Sequence, residues 1–258
     1  TLSPRSRLHI HRLLHTILET AVQWEYLNAN PVSKVKAPKT EKAKISIMNE
    51  DELERFILLL NEEELKWKVL SLLTLTAGLR IGETMGLEWA HVDLAKQTIS
   101  IEQSSQYVGK KIITKSTKNQ SSERLISIPS SMIDLLKQYR AQQNADRLLL
   151  GDKWNDTDRL FTAWNGLPMF PSSFNKWLTA FCKRNNLTKI TPHSLRHLSA
   201  TILINAGISL KNISARLGHN RTSTTGDIYA HFLKSTDTIA AEKMDEIMKP
   251  ATKKKQPT

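Results

Sequence analysis

A chain of 258 residues, 40% of them hydrophobic, can build one large domain or one domain with a small piece beside it. Its 37 lysines and arginines exceed its 25 acids and leave a net charge of +12, which suits either a solvated basic surface or a polyanionic partner. A single cysteine, Cys182, excludes an internal disulfide framework, and the longest apolar stretch, Val69 to Leu79, is too short to span a bilayer.

The first residues are polar and basic and do not read as a signal peptide, so the expected location is the cytoplasm. Residues 6 to 27 predict an amphipathic helix with Leu13, Leu14, Ile17, Leu18, Ala21 and Val22 along one stripe. His11 and His15 stand four apart on it. That is a conceivable metal spacing, but no Cys or Asp lies close by, and they read as a solvated face. Asn30-Pro31 ends the helix. Residues 31 to 46 read as a basic linker, with Lys34, Lys36, Lys39, Lys42 and Lys44 against the single acid Glu41. Such a run either is merely solvated or tracks phosphates between two DNA-binding lobes.

Helices resume at Asn49, which caps a segment reaching Leu60, with Glu50 and Asp51 in its first turn. Leu65 to Ala77 is strongly apolar and predicts a buried helix. Gly78 ends it, and Arg80 opens the next. Residues 97 to 101, 111 to 114 and 124 to 128 alternate or are β-branched and predict three short strands. Pro129 and Ser130 begin a helix to about Gln143. Residues 146 to 170 read as irregular, anchored by Trp154, Phe161 and Trp164, and residues 171 to 186 as a helix.

The densest chemistry lies from Thr191 to His231. Thr191-Pro192 is a helix start, with a cap and a proline at the first position. His193 and Arg196, three apart, share one helix face and can meet a small anion together. Gly218 stops an apolar helix containing Ile213 and Leu217, so His219 follows a helix end. Tyr229 lies ten residues further on. Donor and cationic groups around a phenol suggest phosphoryl transfer. A last helix is expected over 235 to 248, with a basic tail at Lys253-Lys254-Lys255.

The order H-x-x-R, then L-G-H, then Tyr229-Ala230-His231 resembles the C-terminal box of tyrosine recombinases, the phage-integrase family. Thr76-Ala77-Gly78-Leu79-Arg80-Ile81-Gly82-Glu83 resembles that family's first arginine box. The resemblance covers residues 45 to 248 well and residues 1 to 38 less specifically. It implies a mainly α fold with a small three-stranded antiparallel sheet (α+β). Residues 1 to 30 would be the last part of a helical core-binding, DNA-clamp domain. Residues 31 to 46 would be the linker, 47 to 234 the catalytic domain, and 235 to 258 the C-terminal helix and tail. The helices that precede residue 1 in the family are missing from this sequence, so a fragment of a longer integrase is expected.

The same resemblance implies the site. Arg80 and Arg196 would bind the non-bridging oxygens of a scissile phosphate, for which the planar guanidinium fork is suited. Glu83, one turn from Arg80, would be a structural acid that orients it. Lys118 stands six residues before Arg124, the family spacing for a hairpin lysine that protonates the departing 5′-oxygen; Lys115 and Lys111 are nearby competitors. His193 would donate to a phosphate oxygen or help move the nucleophile's proton. His219 would hydrogen-bond the phosphate. His193 and His197 also make H-x-x-x-H, but Ser194 stands where a zinc protease has glutamate, so His197 reads as packing. Tyr229 would be the nucleophile.

The implied activity is site-specific DNA strand exchange, integration or excision, through a 3′-phosphotyrosyl bond, with neither metal nor nucleotide cofactor. The implied partners are double-stranded attachment-site DNA, three further copies in a tetramer that exchanges the C-terminal helix, and accessory excision or host DNA-bending proteins. A type IB topoisomerase uses similar chemistry, but the L-G-H box and short C-terminal helix fit recombinases better. A non-catalytic DNA-binding relative would lack one or more of the catalytic positions, and all are filled here.

Overall fold

The computed structural model describes residues 2–40, 48–109, 111–116 and 123–218. The chain divides into two units, Thr1–Ile45 and Ser46–Thr258.

In the first unit, Ser3 caps helix α1, Pro4–Gln23, and Pro4 occupies its first turn. The helix stops at Trp24, earlier than residue 27, because Glu25 adopts a left-handed φ of +62°. None of α1 is buried, and Leu13, Leu14 and Ile17 of its stripe are exposed. The expected linker begins instead with a 3-10 turn, Pro31–Lys34, tied back to α1. Asn30 is the clasp. Its Nδ2 donates to His15 O at 3.0 Å and Glu19 Oε2 at 2.8 Å, while its Oδ1 accepts from Val32 N. The two histidines of the i, i+4 pair serve the same join. His11 Nε2 lies 3.1 Å from Val35 O, and His15 Nε2 lies 3.1 Å from Ser33 Oγ.

The second unit is built around α3, Leu65–Ala77, a helix apolar on most sides and buried at Val69, Leu70, Ser71, Leu73, Thr74, Leu75 and Ala77. Its threonines return their hydroxyls to their own helix, Thr74 to Leu70 O and Thr76 to Leu72 O, which removes the cost of burying them. Around it lie α2 (Glu50–Leu60), α5 (Ser130–Leu150), α6 (Pro171–Arg184), α7 (Pro192–Asn205) and α8 (Leu210–Leu217). Asn49 caps α2 by accepting from Glu52 N at 2.8 Å. Thr191 and Ser194 form a reciprocal capping box at the start of α7.

The strands depart from expectation in membership. A three-stranded antiparallel sheet is present, in the order β1 (Val92–Asp93), β2 (Thr98–Ile101), β5 (Arg124–Ser127). Ile99 pairs with Ile126, and both are buried. Residues 111 to 114 do not join it. They belong to β4 (Lys111–Ser116), which pairs with β3 (Gln103–Val108) as a separate hairpin. Alternation reveals a strand but not its neighbour, and β3 is polar (Gln-Ser-Ser-Gln), so it gave no strand signal.

This hairpin lies close against the short helix α4, Ile81–Gly86. A Cβ on Gly82 would sit 2.5 Å from Ser104 Oγ, and one on Gly86 would sit 3.0 Å from Gln103 O. The buried Arg159 fastens the join, donating to Gly86 O and to Thr114 Oγ1, each at 2.7 Å. Two further corrections concern residues 143 to 170. Helix α5 continues past Gln143 to Leu150. Phe161 is in the core and Trp154 packs on Gly166, but Trp164 is 71% exposed and anchors nothing. Packing demand, not aromatic identity, decides which ring goes inside.

Candidate active site

The site forms where two helices end facing each other. α3 ends at Gly78 and α8 at Gly218, both left-handed, with φ of +63° and +65°. A Cβ on Gly78 would meet Leu217 Cδ2 at 2.5 Å, so glycine serves both the turn and the close approach. Helix C-termini leave carbonyls without intrahelical partners and carry the negative end of the helix dipole. Arginines fill that role here. Arg196 donates from Nη1 to Gly78 O and from Nη2 to Leu217 O, each at 2.7 Å, and is only 2% exposed.

Arg80 stands at the N-terminal edge of α4, two residues after Gly78. Its backbone N–H donates to Glu83 Oε2 at 2.9 Å and its Nη1 to Glu83 Oε1 at 2.7 Å. Its Nη2 donates to Gly218 O at 2.8 Å. Its side chain is 42% exposed, against 8% for Arg124. Arg80 is therefore the guanidinium a ligand reaches first. Glu83 is the buried acid between the cations. Burial pushes its carboxyl up, but the bond and charge of Arg124, then the Arg80 contacts, outweigh this and hold it below the usual carboxylate range.

His193 lies at the surface, one turn before Arg196, with its ring edge-on to the buried His197 at 4.3 Å between centroids. Partial burial and the charges of Arg196 and Arg80 lower its pKa. At neutral pH its imidazole is therefore neutral and able to accept a proton.

The structure thus brings Arg80, His193 and Arg196 together with Glu83. Lys118, His219 and Tyr229 lie outside the described residues, as do Lys42, Lys44 and the helix expected over 235 to 248. Lys115 is on β4, exposed, opposite Ser104. Lys34, Lys36 and Lys39 are exposed in the first unit. Among the described residues no group of three or more His, Cys, Asp or Glu is disposed to hold a metal ion, and no helix is long and apolar enough to cross a membrane.

Sequence reasoning gave no role to Arg124 and Arg216. Arg124 donates to Glu83 from Nη2 at 2.8 Å and from Nη1 at 3.3 Å, and its Nε donates to Arg216 O at 2.7 Å. Arg216 in turn reaches Thr76 O and Ser127 O. A signal was available. In Arg124-Leu125-Ile126-Ser127 the period of two puts Arg124 on the face of the buried Ile126, and Leu125 on the face that is 69% exposed.

A mainly helical domain with small antiparallel sheets, holding Arg80, His193 and Arg196 around two helix ends, defines an enzyme of the tyrosine recombinase class. Residues 46–236 match the model of the phage integrase family, and the chain belongs to that family. The ICEBs1 integrase of Bacillus subtilis (strain 168) is 28% identical over 247 residues, covering 96% of this chain and 67% of that protein. A XerC-like tyrosine recombinase of Caldanaerobacter subterraneus subsp. tengcongensis is 30% identical over 262 residues, covering 92% of this chain and 65% of that protein. The chain thus spans about two thirds of the length of these curated relatives. The Tn1549 transposon integrase, solved in complex with a circular intermediate DNA, shares the fold with a TM-score of 0.75 at 23% identity, over 93% of this chain and 80% of that one.

Proposed function

We propose that this chain carries out site-specific DNA strand exchange through a 3′-phosphotyrosyl intermediate. The observation that supports it best is the cationic cluster at the ends of α3 and α8, in which Arg80 is open to a ligand and buttressed by a buried carboxylate. In this reading Arg80 and Arg196 take the scissile phosphate's non-bridging oxygens. The Tyr229 hydroxyl attacks phosphorus, and its proton passes to the neutral imidazole of His193. The bond from phosphorus to the 5′-oxygen breaks, and Lys118, or Lys115 in its place, protonates the leaving oxygen. His219 adds a hydrogen bond to the phosphate. The 5′-hydroxyl of a partner strand then reverses the step, so no bond energy is lost. Lysines 34, 36, 39, 42 and 44 contact backbone phosphates and orient the first unit on the duplex.

The deciding experiment incubates the protein with suicide duplexes built from the DNA flanking its gene. A covalent protein–DNA adduct mapped to Tyr229 supports the reading, whereas relaxation of supercoils without a preferred site favours a topoisomerase.

His193 sets a pH dependence. Its pKa is lowered from about 6.5, so it is neutral above that range and protonated, unable to accept, below it. With duplex below saturation the rate reports the free enzyme, so cleavage should fall with acid through a midpoint under about 6.5. His193→Gln should erase this limb; a wild-type midpoint above that value, or a limb that survives in the variant, contradicts the role.

The assembly in this reading is a tetramer on two duplexes, with residues 235 to 248 docked on a neighbouring copy. Accessory excision or DNA-bending proteins assist it, and the cytoplasm is its location. The apolar positions Ile239, Ala240, Met244, Ile247 and Met248 motivate the exchange. Deleting residues 235 to 258 should spare binding to one duplex but impair synapsis and recombination. Full recombination by the truncated chain would refute the exchange.

A further inference from the structure

We infer that Arg124 is a positioning residue for the strand-transfer reaction, holding Glu83 in the orientation that presents Arg80 to the phosphate. The inference rests on the functional reading above.

The geometry forms a relay. Both Glu83 oxygens are engaged twice, once from each side. Oε1 takes Arg80 Nη1 at 2.7 Å and Arg124 Nη1 at 3.3 Å; Oε2 takes the Arg80 backbone N–H at 2.9 Å and Arg124 Nη2 at 2.8 Å. A carboxylate gripped by a fork on one side cannot swing, so its bond to Arg80 has one direction. The third edge of the Arg124 guanidinium, Nε, reaches Arg216 O in the last turn of α8. Its face fills the space beside Gly218, where a Cβ would fall 2.7 Å from Arg124 Nη1. Arg80 donates to the carbonyl of this Gly218. Arg124 therefore aligns both groups that hold Arg80, the Glu83 carboxylate and the end of α8.

Burial separates the two arginines by task. The Arg124 side chain is 8% exposed and buried beside Glu83 at 4%, whereas that of Arg80 is 42% exposed. With its nitrogens turned to Glu83 and the Arg216 carbonyl, Arg124 sets the Arg80 guanidinium, which a ligand reaches first. Lysine cannot replace it, since one ammonium cannot span two carboxylate oxygens and a carbonyl together.

The test uses the flanking-DNA suicide duplex and measures covalent product formation on prebound DNA, together with noncovalent affinity and thermal melting. Arg124→Met should slow product formation at least about tenfold with affinity little changed, as expected when a group acts in the transition state through its neighbour. In a Glu83→Gln background the same substitution should cost less than about threefold, because the relay is already cut. A purely structural strand anchor would cost the same in both backgrounds and would weaken affinity too. Equal losses in the two backgrounds, or undiminished cleavage by Arg124→Met, would overturn the inference. Should Arg124→Met melt below the assay temperature, Arg124→Lys is read in the same two backgrounds against the same criteria. Absence of adduct from the wild-type protein would instead overturn the functional reading, and the inference with it.

Discussion

Tyr229→Phe is expected to abolish covalent attachment to DNA while leaving noncovalent binding nearly intact. The substitution removes one oxygen, whose proposed work is to attack phosphorus, and keeps the aromatic ring. A phenol with a pKa near 10 is a poor nucleophile at neutral pH, so the reaction depends on cations that stabilise the developing phenolate and the phosphorane-like transition state. In the proposed mechanism Arg80 and Arg196 supply that charge, with Glu83 the acid beside Arg80. Adduct at the wild-type level in Tyr229→Phe would remove Tyr229 from the mechanism.

Arg80→Ala and Arg196→Ala should each lose cleavage by about a hundredfold or more, since each removes charge stabilisation that grows toward the transition state. Their effects on the fold should differ. Arg80 is partly exposed, and Glu83 keeps Arg124 when Arg80 is gone, so the loss of stability should be about 1 kcal/mol or less. Arg196 is buried and satisfies the carbonyls of Gly78 and Leu217, so its removal leaves two buried acceptors and a cavity. That should cost on the order of 3 kcal/mol. Denaturant unfolding beside single-turnover cleavage separates the two. Equal stability of the two variants would show that Arg196 does not stitch α3 to α8, and wild-type cleavage by either would take that arginine out of the site.

Much of this protein was legible because its signals are local. The capping residues Asn49 and Thr191 and the glycine stops at 78 and 218 act within one turn of chain, and each helix start or stop stands at or next to the position they indicate. After Lys68 the run to Ala77 holds no charged residue, so burial of most of α3 followed from composition alone. The sequence boxes around Arg80, His193 and Arg196 pointed to the family, and the family model covers them.

What local signals could not carry was partnership. β3 has no apolar alternation, and the strand signal at 111 to 114 did not say which strand β4 would pair with, because register and neighbour depend on what else is buried nearby. The aromatic residues from 154 to 164 gave no hint that Trp164 would be left in solvent. Arg124 looked like a spacing mark and proves to be a buried clamp on Glu83, a residue 41 positions away. By itself the sequence determined the capped helix starts at Asn49 and Thr191, the glycine stops at 78 and 218, and the family, because propensity, capping and motif order are written within a few residues. Tertiary structure alone decided how the chain ends of α3 and α8 meet, which guanidinium is most open to a ligand, and that Arg124 is buried against Glu83. Those outcomes arise from long-range burial and from carbonyls that only a distant donor can satisfy.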